Sequence, residues 1–222
     1  PLAVAPLANL QFTVGPGNFQ HLLSQKGYPT PSLCAADCQN LYNVAVPDAY
    51  CTAGVAADAV LSITRPASFE GVAGSGTHCI SNDDGRPLWL VFAWYSQSSS
   101  STAPSGSRAL VLHEILHSLG FSNAGFRDAL NSDGTPKNLI ALKQVVDTDG
   151  TQDAVWHFTS GRAYDTAQTY FGCESGDWEG LPLMGVPELG RGSHWETRIM
   201  RDDVMSYGGA SAIGSITLAA ME

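Results

Sequence analysis

The sequence predicts an α+β fold, on two observations. Apolar runs of β type occur at residues 59–64 (AVLSIT) and 88–95 (LWLVFAWY), and an amphipathic helix follows them. The composition, 44% hydrophobic and 14% charged over 222 residues, is that of a globular chain long enough to bury a core. We therefore expect strands in the first half that lead into one well-marked helix.

The other elements follow from shorter signals. A short strand is expected at 10–14, the cysteine-rich stretch 34–51 is typical of irregular structure, and the polar tract 96–107 (SQSSSSTAPSGS) predicts a surface loop. Beyond the amphipathic helix the chain is rich in Gly and Asp, with helix candidates at 136–146 and 164–171. No internal repeat or linker is evident, so the second half is expected to elaborate the same domain.

The amphipathic helix has clear limits, with Ser105 or Ser107 as its N-cap and Gly120 as its end. Its apolar positions recur at i, i+3, i+4 and i+7 and predict one core-facing stripe, formed by Leu112, Ile115, Leu116 and Leu119. His113 and His117 lie about 100° or more from the centre of that stripe. The two histidines therefore border the core, as expected of a pair that lines a cleft.

Residues 113–117 (HEILH) form an H-E-x-x-H motif on this helix. Two imidazoles four residues apart project from one face within reach of a single ion, and Glu114 is placed to act on a metal-bound water. The alternative is a helix that carries two surface histidines and a glutamate by chance. The helical context and Gly120, which permits a sharp turn, favour the metal site.

A third ligand must come from outside the compact H-E-x-x-H-x-x-G-x-x-H pattern, because Asn123 occupies the position of its last histidine. By their sequence context His21, His78 and His157 are expected to be surface or packed residues. His194 differs because of the segment in which it lies.

That segment, 192–198 (GSHWETR), together with DVM at 203–205, resembles the third-ligand and Met-turn region of the leishmanolysin-like metzincins. In that family a long insertion precedes the third histidine. His194 lies 77 positions after His117, and Met205 lies 11 positions after His194, in keeping with the family's spacing. The resemblance spans about residues 38–222, with further matches in DGRP at 84–87, GFS at 120–122, FRD at 126–128, YFGC at 170–173 and EGLPL at 179–183.

The resemblance implies a metzincin-type zinc protease fold with a twisted mixed sheet, an active-site helix, a cleft, and an insertion-bearing second half that ends in a Met-turn. It implies an N-terminal subdomain at 1–120 and a C-terminal subdomain at 121–222 within one catalytic domain. The loop 184–191 (MGVPELGR) departs from the family, because it lacks the Gly-rich sequence expected before the third histidine.

The resemblance also implies a Zn²⁺ ion bound by His113, His117 and His194. Three neutral imidazoles leave a position for water, whose pKa falls to about 7. Glu114 is then the general base that takes the water proton and returns it to the leaving amine. Met205 is expected to form an apolar floor. Tyr207 departs from the leishmanolysin pattern and is similar to a tyrosine of astacin- and serralysin-like Met-turns, so it is a candidate for oxyanion stabilisation, with ordinary packing as the alternative.

The residues around these ligands have simpler expected roles. Trp195 and Glu196 are expected to be structural neighbours of the third ligand. Asp202 and Asp203 are expected in a solvated turn, with hydrogen bonding to the ligands as the alternative. The substrate is expected to be an extended peptide that pairs with a sheet edge, for which 88–95 is the candidate because it precedes the helix.

Charge argues against a nucleic-acid partner, and hydropathy argues against a transmembrane helix. The net charge of −10, the pI of about 4.8 and the lack of a Lys/Arg cluster argue against nucleic acid. No apolar run approaches the ~20 residues that a transmembrane helix needs. The expected function is a zinc endopeptidase acting on extracellular or surface proteins. The alternatives are a catalytically idle surface or assembly protein that keeps the fold and zinc, and the same fold with cobalt or nickel.

The five cysteines lack CxxC spacing, which favours disulfides and a secreted or cell-surface protein. The resemblance implies a Cys38–Cys79 bridge and leaves Cys34 with Cys51 as a local pair. It also implies that Cys173 pairs with a cysteine of a further C-terminal domain, so the chain is expected to be part of a longer one.

Overall fold

The computed structural model describes two compact units, Pro1–Leu119 and Gly120–Glu222. The described residues are 10–14, 59–64, 73–81, 87–95, 104–131, 133–146, 150, 152–173, 178–185, 192–207 and 212–222. Several expectations lie outside them: the irregular stretch 34–51 with its three cysteines, residues 96–103 of the loop predicted at 96–107, and most of the loop 184–191. The loop prediction is wrong at 104–107, because a helix begins at Pro104.

The first unit contains a mixed sheet of the described strands in the order β1-β2-β4-β3. These strands are β1 (Leu10–Val14), β2 (Ala59–Thr64), β3 (Gly74–Ser81) and β4 (Pro87–Trp94). β2 and β4 run parallel, whereas β1 is antiparallel to β2 and β3 is antiparallel to β4. The predicted α+β class is confirmed.

β4 lies inside this sheet, between β2 and β3. Its side chains are buried on both faces, among them Trp89, Val91 and Phe92, which explains its uninterrupted apolar sequence. An interior strand has no open edge, so the expectation that 88–95 pairs with a substrate is wrong. Among the described strands it is β3 that lies at the edge on this side of the sheet.

Helix α1 (Pro104–Ser118) packs on the same sheet. Val111 and Ile115 pack against a core cluster of the sheet, formed by Leu61, Leu90 and Phe92. The helix therefore carries the H-E-x-x-H motif on a turn whose orientation is fixed by the core.

Two details of α1 differ from expectation. The helix begins at Pro104, a residue favoured in the first turn, so Ser105 and Ser107 lie inside it and do not cap it. Leu119 is 39% exposed and does not extend the apolar stripe, because the helix has already ended. The buried surface of the helix includes the polar Glu114 as well.

The second unit contains a smaller antiparallel sheet and three short described helices. These elements are β5 (Ile140–Val146), β6 (Gln152–Phe158), β7 (Leu181–Pro182), α2 (Asn123–Arg127), α3 (Gly161–Phe171) and α4 (Ser215–Ala220). The predicted helix at 164–171 is confirmed as the greater part of α3, which ends at Gly172 in the left-handed conformation with φ of 66°.

The predicted helix at 136–146 is wrong, because β5 lies there. Burial alternates along β5, and Leu142 and Val146 are on the exposed face. That two-residue period is the period of a strand, and pairing with β6 along the whole length of β5 stabilises it. Pairing with the next strand has thus overridden the local helix signal.

The described residues include two cysteines, which differ in their bonding state. Cys79 of β3 is disulfide-bonded, whereas Cys173 is a free cysteine after α3. The expected partner Cys38 lies outside the described residues.

No helix in the described part of the chain is long and apolar enough to cross a membrane.

Candidate metal centre

Helix α1 places His113 and His117 side by side. Because they are four residues apart, their side chains lie one turn from each other on the same face. Their Nε2 atoms are 3.0 Å apart, and the ring centroids are separated by 4.6 Å with the ring planes nearly perpendicular. Both rings are half-buried. The pair can present two nitrogen donors to one ion.

Glu114, next to the first histidine, faces the sheet and is buried, with 6% of its surface exposed. The backbone N–H of Gly76 in β3 donates a hydrogen bond to its carboxylate. Burial raises the pKa of Glu114 to about 7, and the Gly76 hydrogen bond opposes that rise only in part. The carboxylate is therefore held in place and is able to exchange a proton near neutral pH.

The approach of α1 to β3 depends on glycine. A Cβ atom at Gly76 would lie 2.6 Å from the carbonyl carbon and 2.9 Å from the Cα of Glu114, closer than any side chain allows. A Cβ atom at Gly74 would lie 3.1 Å from Cγ of Glu114. Neither position was predicted from the sequence. Their signal was the G-S-G run inside a β-type segment, since strand glycines mark close backbone approach.

In the second unit, His194 is buried, with 5% exposure, and its backbone is fixed on both sides. Its carbonyl oxygen accepts a hydrogen bond from Met184 N–H at 2.8 Å. The N–H of the next residue, Trp195, donates to the carbonyl oxygen of Met205 at 2.9 Å. The imidazole is thus presented from a segment held between two neighbouring stretches of chain.

Trp195 anchors that segment in the core of the second unit. It is fully buried, and its Nε1–H donates to Oγ1 of Thr217 at 2.7 Å. Its ring lies 5.1 Å from that of Phe121 and 5.4 Å from that of Phe158, centroid to centroid. Glu196, by contrast, accepts a hydrogen bond from the exposed Arg198.

Asn123, which occupies the place of the last histidine in the compact motif, contacts the residues that precede His194. Its backbone N–H donates to Oγ of Ser193 at 3.2 Å. Gly192 has a φ of 79°, and a Cβ atom there would collide with the Asn123 side chain. The start of α2 therefore supports the two residues that precede His194.

Met205 and Tyr207 lie in the turn that follows. Met205 is fully buried, whereas Tyr207 is 48% exposed. The Tyr207 ring lies against the imidazole of His194, with the centroids 4.3 Å apart and the planes inclined by 41°. Asp202 is exposed as expected, but Asp203 is buried at 4% exposure, so the expectation of a solvated turn is wrong for Asp203.

Two other histidines are packed side chains that hydrogen-bond to the backbone. The His78 ring donates to the backbone carbonyl of Ser118, and burial lowers its pKa. His157 in β6 donates to the backbone carbonyl of Glu179, and burial lowers its pKa as well. Both are packed residues, as expected, while His21 lies outside the described residues.

Among the described residues, His113, His117 and His194 form a group that could hold a metal ion, with one ring nitrogen of each within 4.8 Å of the others. Three imidazoles are a donor set that suits zinc, which binds three protein ligands in catalytic sites. The residues present therefore fit a catalytic metal.

Comparison with known proteins gives two kinds of match. The family model described as Leishmanolysin matches residues 28–222. Leishmanolysin from Leishmania major is 29% identical over 181 residues, which cover 79% of this chain and 27% of that protein. A leishmanolysin homolog from Crithidia fasciculata is 33% identical over 113 residues, which cover 50% of this chain and 16% of that protein. The chain thus matches less than a third of the length of either relative.

Proposed function

Because this chain belongs to the leishmanolysin family, we propose that it is a zinc-dependent endopeptidase that hydrolyses peptide bonds of extracellular or surface proteins. His113, His117 and His194 are the proposed zinc ligands, and Glu114 is the proposed general base. The observation that carries the proposal is the group of three histidines, two of them on one face of α1 with a buried glutamate between them.

The ion, when bound, acts as a Lewis acid that acidifies a water molecule and polarises the scissile carbonyl. Glu114 takes one proton from the attacking water on a carboxylate oxygen and later gives it to the leaving amine nitrogen. The Gly76 N–H supports this role, because it orients the carboxylate. A base with a pKa near the working pH is also the most effective.

Tyr207 is the proposed donor to the oxyanion that develops on the scissile carbonyl. Its contact with His194 and its partial exposure support this role, because the ring adjoins a proposed ligand while remaining accessible. Met205 is proposed to pack beneath the ligand segment and shape it without binding the ion, in line with its complete burial.

The substrate is proposed to be an extended peptide that adds to the outer edge of β3. β3 is one of the two edge strands of the described sheet, and it also contacts Glu114 through Gly76. A peptide that pairs with this strand would run alongside the general base. β3 takes the place of β4 as the proposed substrate-binding strand, because β4 is an interior strand without a free edge.

We place the protein outside the cytoplasm, either secreted or at the cell surface. The disulfide-bonded state of Cys79 supports this location, because structural disulfides persist in oxidising compartments. Non-reducing peptide mapping of protein isolated from its natural source tests it. A reduced Cys79 in that material would count against the location.

Metal analysis and a peptidase assay on four proteins test the proposed function. Wild type is expected to carry one zinc per chain and to cleave a protein substrate in a chelator-sensitive manner. Glu114→Gln should keep the zinc and lose nearly all turnover, whereas His194→Ala should lose the zinc. Glu179→Gln is the matched control, because that exposed carboxylate is outside the proposed site.

The outcomes separate the two candidate functions. Unchanged turnover in Glu114→Gln would refute the proposed base. A wild-type protein that binds zinc and cleaves no protein substrate would favour the idle assembly protein. The intact Glu114 argues against that alternative, since its loss is the simplest way to disable such an enzyme.

A further inference from the structure

The carboxylate of Asp203 makes two backbone hydrogen bonds, one on each oxygen. Oδ1 accepts from the N–H of Met205 at 2.8 Å, and Oδ2 accepts from the N–H of Gly214 at 2.8 Å. The side chain is buried, with 4% exposure. A buried carboxylate is costly unless it is hydrogen-bonded, so both contacts are needed to keep it there.

The backbone around Asp203 makes further hydrogen bonds, which close a turn at residues 203–206. Its carbonyl oxygen accepts from the N–H of Ser206 at 3.1 Å and lies 2.9 Å from the Ser206 hydroxyl oxygen. Val204 N–H donates to the carbonyl oxygen of Ala212 at 2.8 Å. A Cβ atom at Gly214 would lie 2.7 Å from Oδ2, so the site has room only for glycine opposite the carboxylate.

This turn is connected to His194 by two routes. Met205, whose N–H is held by Asp203, accepts a hydrogen bond at its carbonyl oxygen from Trp195, the residue after His194. Tyr207, two residues further on, packs against the His194 ring. The hydrogen bonds of Asp203 are made to Met205, Ser206 and Gly214, so these neighbours link it to the imidazole.

We infer that Asp203 is a positioning residue for the metal centre: its carboxylate fixes the turn that holds the backbone beside His194 and the ring of Tyr207 against it. The inference rests on the proposed function, because it assigns a role in holding the third zinc ligand. Both acceptor oxygens are required. Asparagine at this position would offer one acceptor oxygen, and its NH₂ group would face a backbone N–H donor.

The test measures zinc affinity, by competition with a chromophoric chelator, and the visible absorption spectrum of the Co²⁺-substituted protein. Asp203→Asn should fold, bind zinc about 10- to 100-fold more weakly, and shift the Co²⁺ bands. Asp202→Asn, which makes the same change of charge at the exposed neighbouring position, should match wild type in both measurements. Co²⁺ bands report ligand geometry and would not move if Asp203 only stabilised the fold.

A second variant covers the case in which Asp203→Asn does not fold. Gly214→Ala keeps the carboxylate but pushes against Oδ2, and it should weaken zinc binding in the same direction. Wild-type zinc affinity and Co²⁺ spectra in a folded Asp203→Asn or in Gly214→Ala would overturn the inference, even with a lowered Tm. A wild-type protein that binds no zinc would refute the proposed function and the inference with it.

Discussion

Replacing Gly76 by alanine is expected to damage both the fold and the proposed catalytic helix. The backbone of β3 meets the backbone of α1 at this position, with no space for a methyl group between them. Alanine is ordinarily favoured over glycine within a strand, by up to about 1 kcal/mol. A destabilised Gly76→Ala protein would therefore reflect the contact and not the intrinsic preference of the residue.

The magnitude follows from the distances. Non-bonded carbon atoms prefer a separation of about 3.5 Å, and the new Cβ would lie 2.6 Å from the carbonyl carbon of Glu114. The helix and the strand must therefore move apart by about 0.9 Å or more. Overpacking of this kind costs about 1–3 kcal/mol, and a displacement of about 1 Å in a catalytic group lowers rate about 100-fold.

Urea unfolding and steady-state kinetics measure the two effects. Gly74→Ala provides the comparison, because its Cβ would meet side chains and no backbone, with Cγ of Glu114 at 3.1 Å and Cε2 of the Phe92 ring at 3.2 Å. We expect Gly74→Ala to lose little stability and to lower kcat moderately, whereas Gly76→Ala should lose stability and most of kcat. A Gly76→Ala protein as stable and as active as wild type would refute the close approach of α1 to β3.

Three further predictions concern single side chains. In zinc-free protein the raised pKa of Glu114, about 7, means that the folded state holds a proton that the unfolded state releases above pH 4.5. The contribution of Glu114 to the unfolding free energy should therefore fall by roughly 3 kcal/mol as pH rises from 4.5 to 7, and in urea titrations the difference between wild type and Glu114→Gln should change by that amount over this range. Tyr207→Phe should lower kcat about 10- to 100-fold with little change in KM, and unchanged kinetics would reduce Tyr207 to a packing residue. Burial lowers the pKa of His157, so the contribution of this residue to stability should decline as pH falls below the ordinary histidine pKa of about 6.5. The difference in unfolding free energy between wild type and His157→Gln should therefore change over that range, and a difference that is constant with pH would contradict the assignment.

The H-E-x-x-H motif was predictable from sequence because its geometry is local. Four residues make one helical turn, so the motif brings His113 and His117 together wherever the helix forms. His194 is separated from them by most of the second half of the chain, and no periodicity could have indicated it. Its prediction came from the resemblance of the surrounding segment to a known family.

The wrong predictions share a physical cause, which is that contacts outside the segment concerned decided its structure. β2 pairs with β4, and the intervening β3 returns to the outside, so the order along the chain did not reveal which strand forms the edge. The helix expected at 136–146 failed because pairing with β6, the next strand along the chain, stabilises a strand at 140–146. Asp203 was misjudged because its partner Gly214 lies beyond the turn.

One peptide group of β3 links the proposed substrate edge to the proposed base. The N–H of Gly76 donates to the Glu114 carboxylate, so it is already engaged when a peptide arrives at the strand. A peptide that adds to β3 must therefore take its hydrogen bonds from other groups of the strand, and it leaves the base oriented. The small size of Gly74 and Gly76 allows this, because side chains at those positions would displace Glu114 from the strand. It follows that changes in β3 should alter kcat through Glu114 as well as KM through the peptide, whereas changes confined to the turn at Asp203 should act through His194 and the metal.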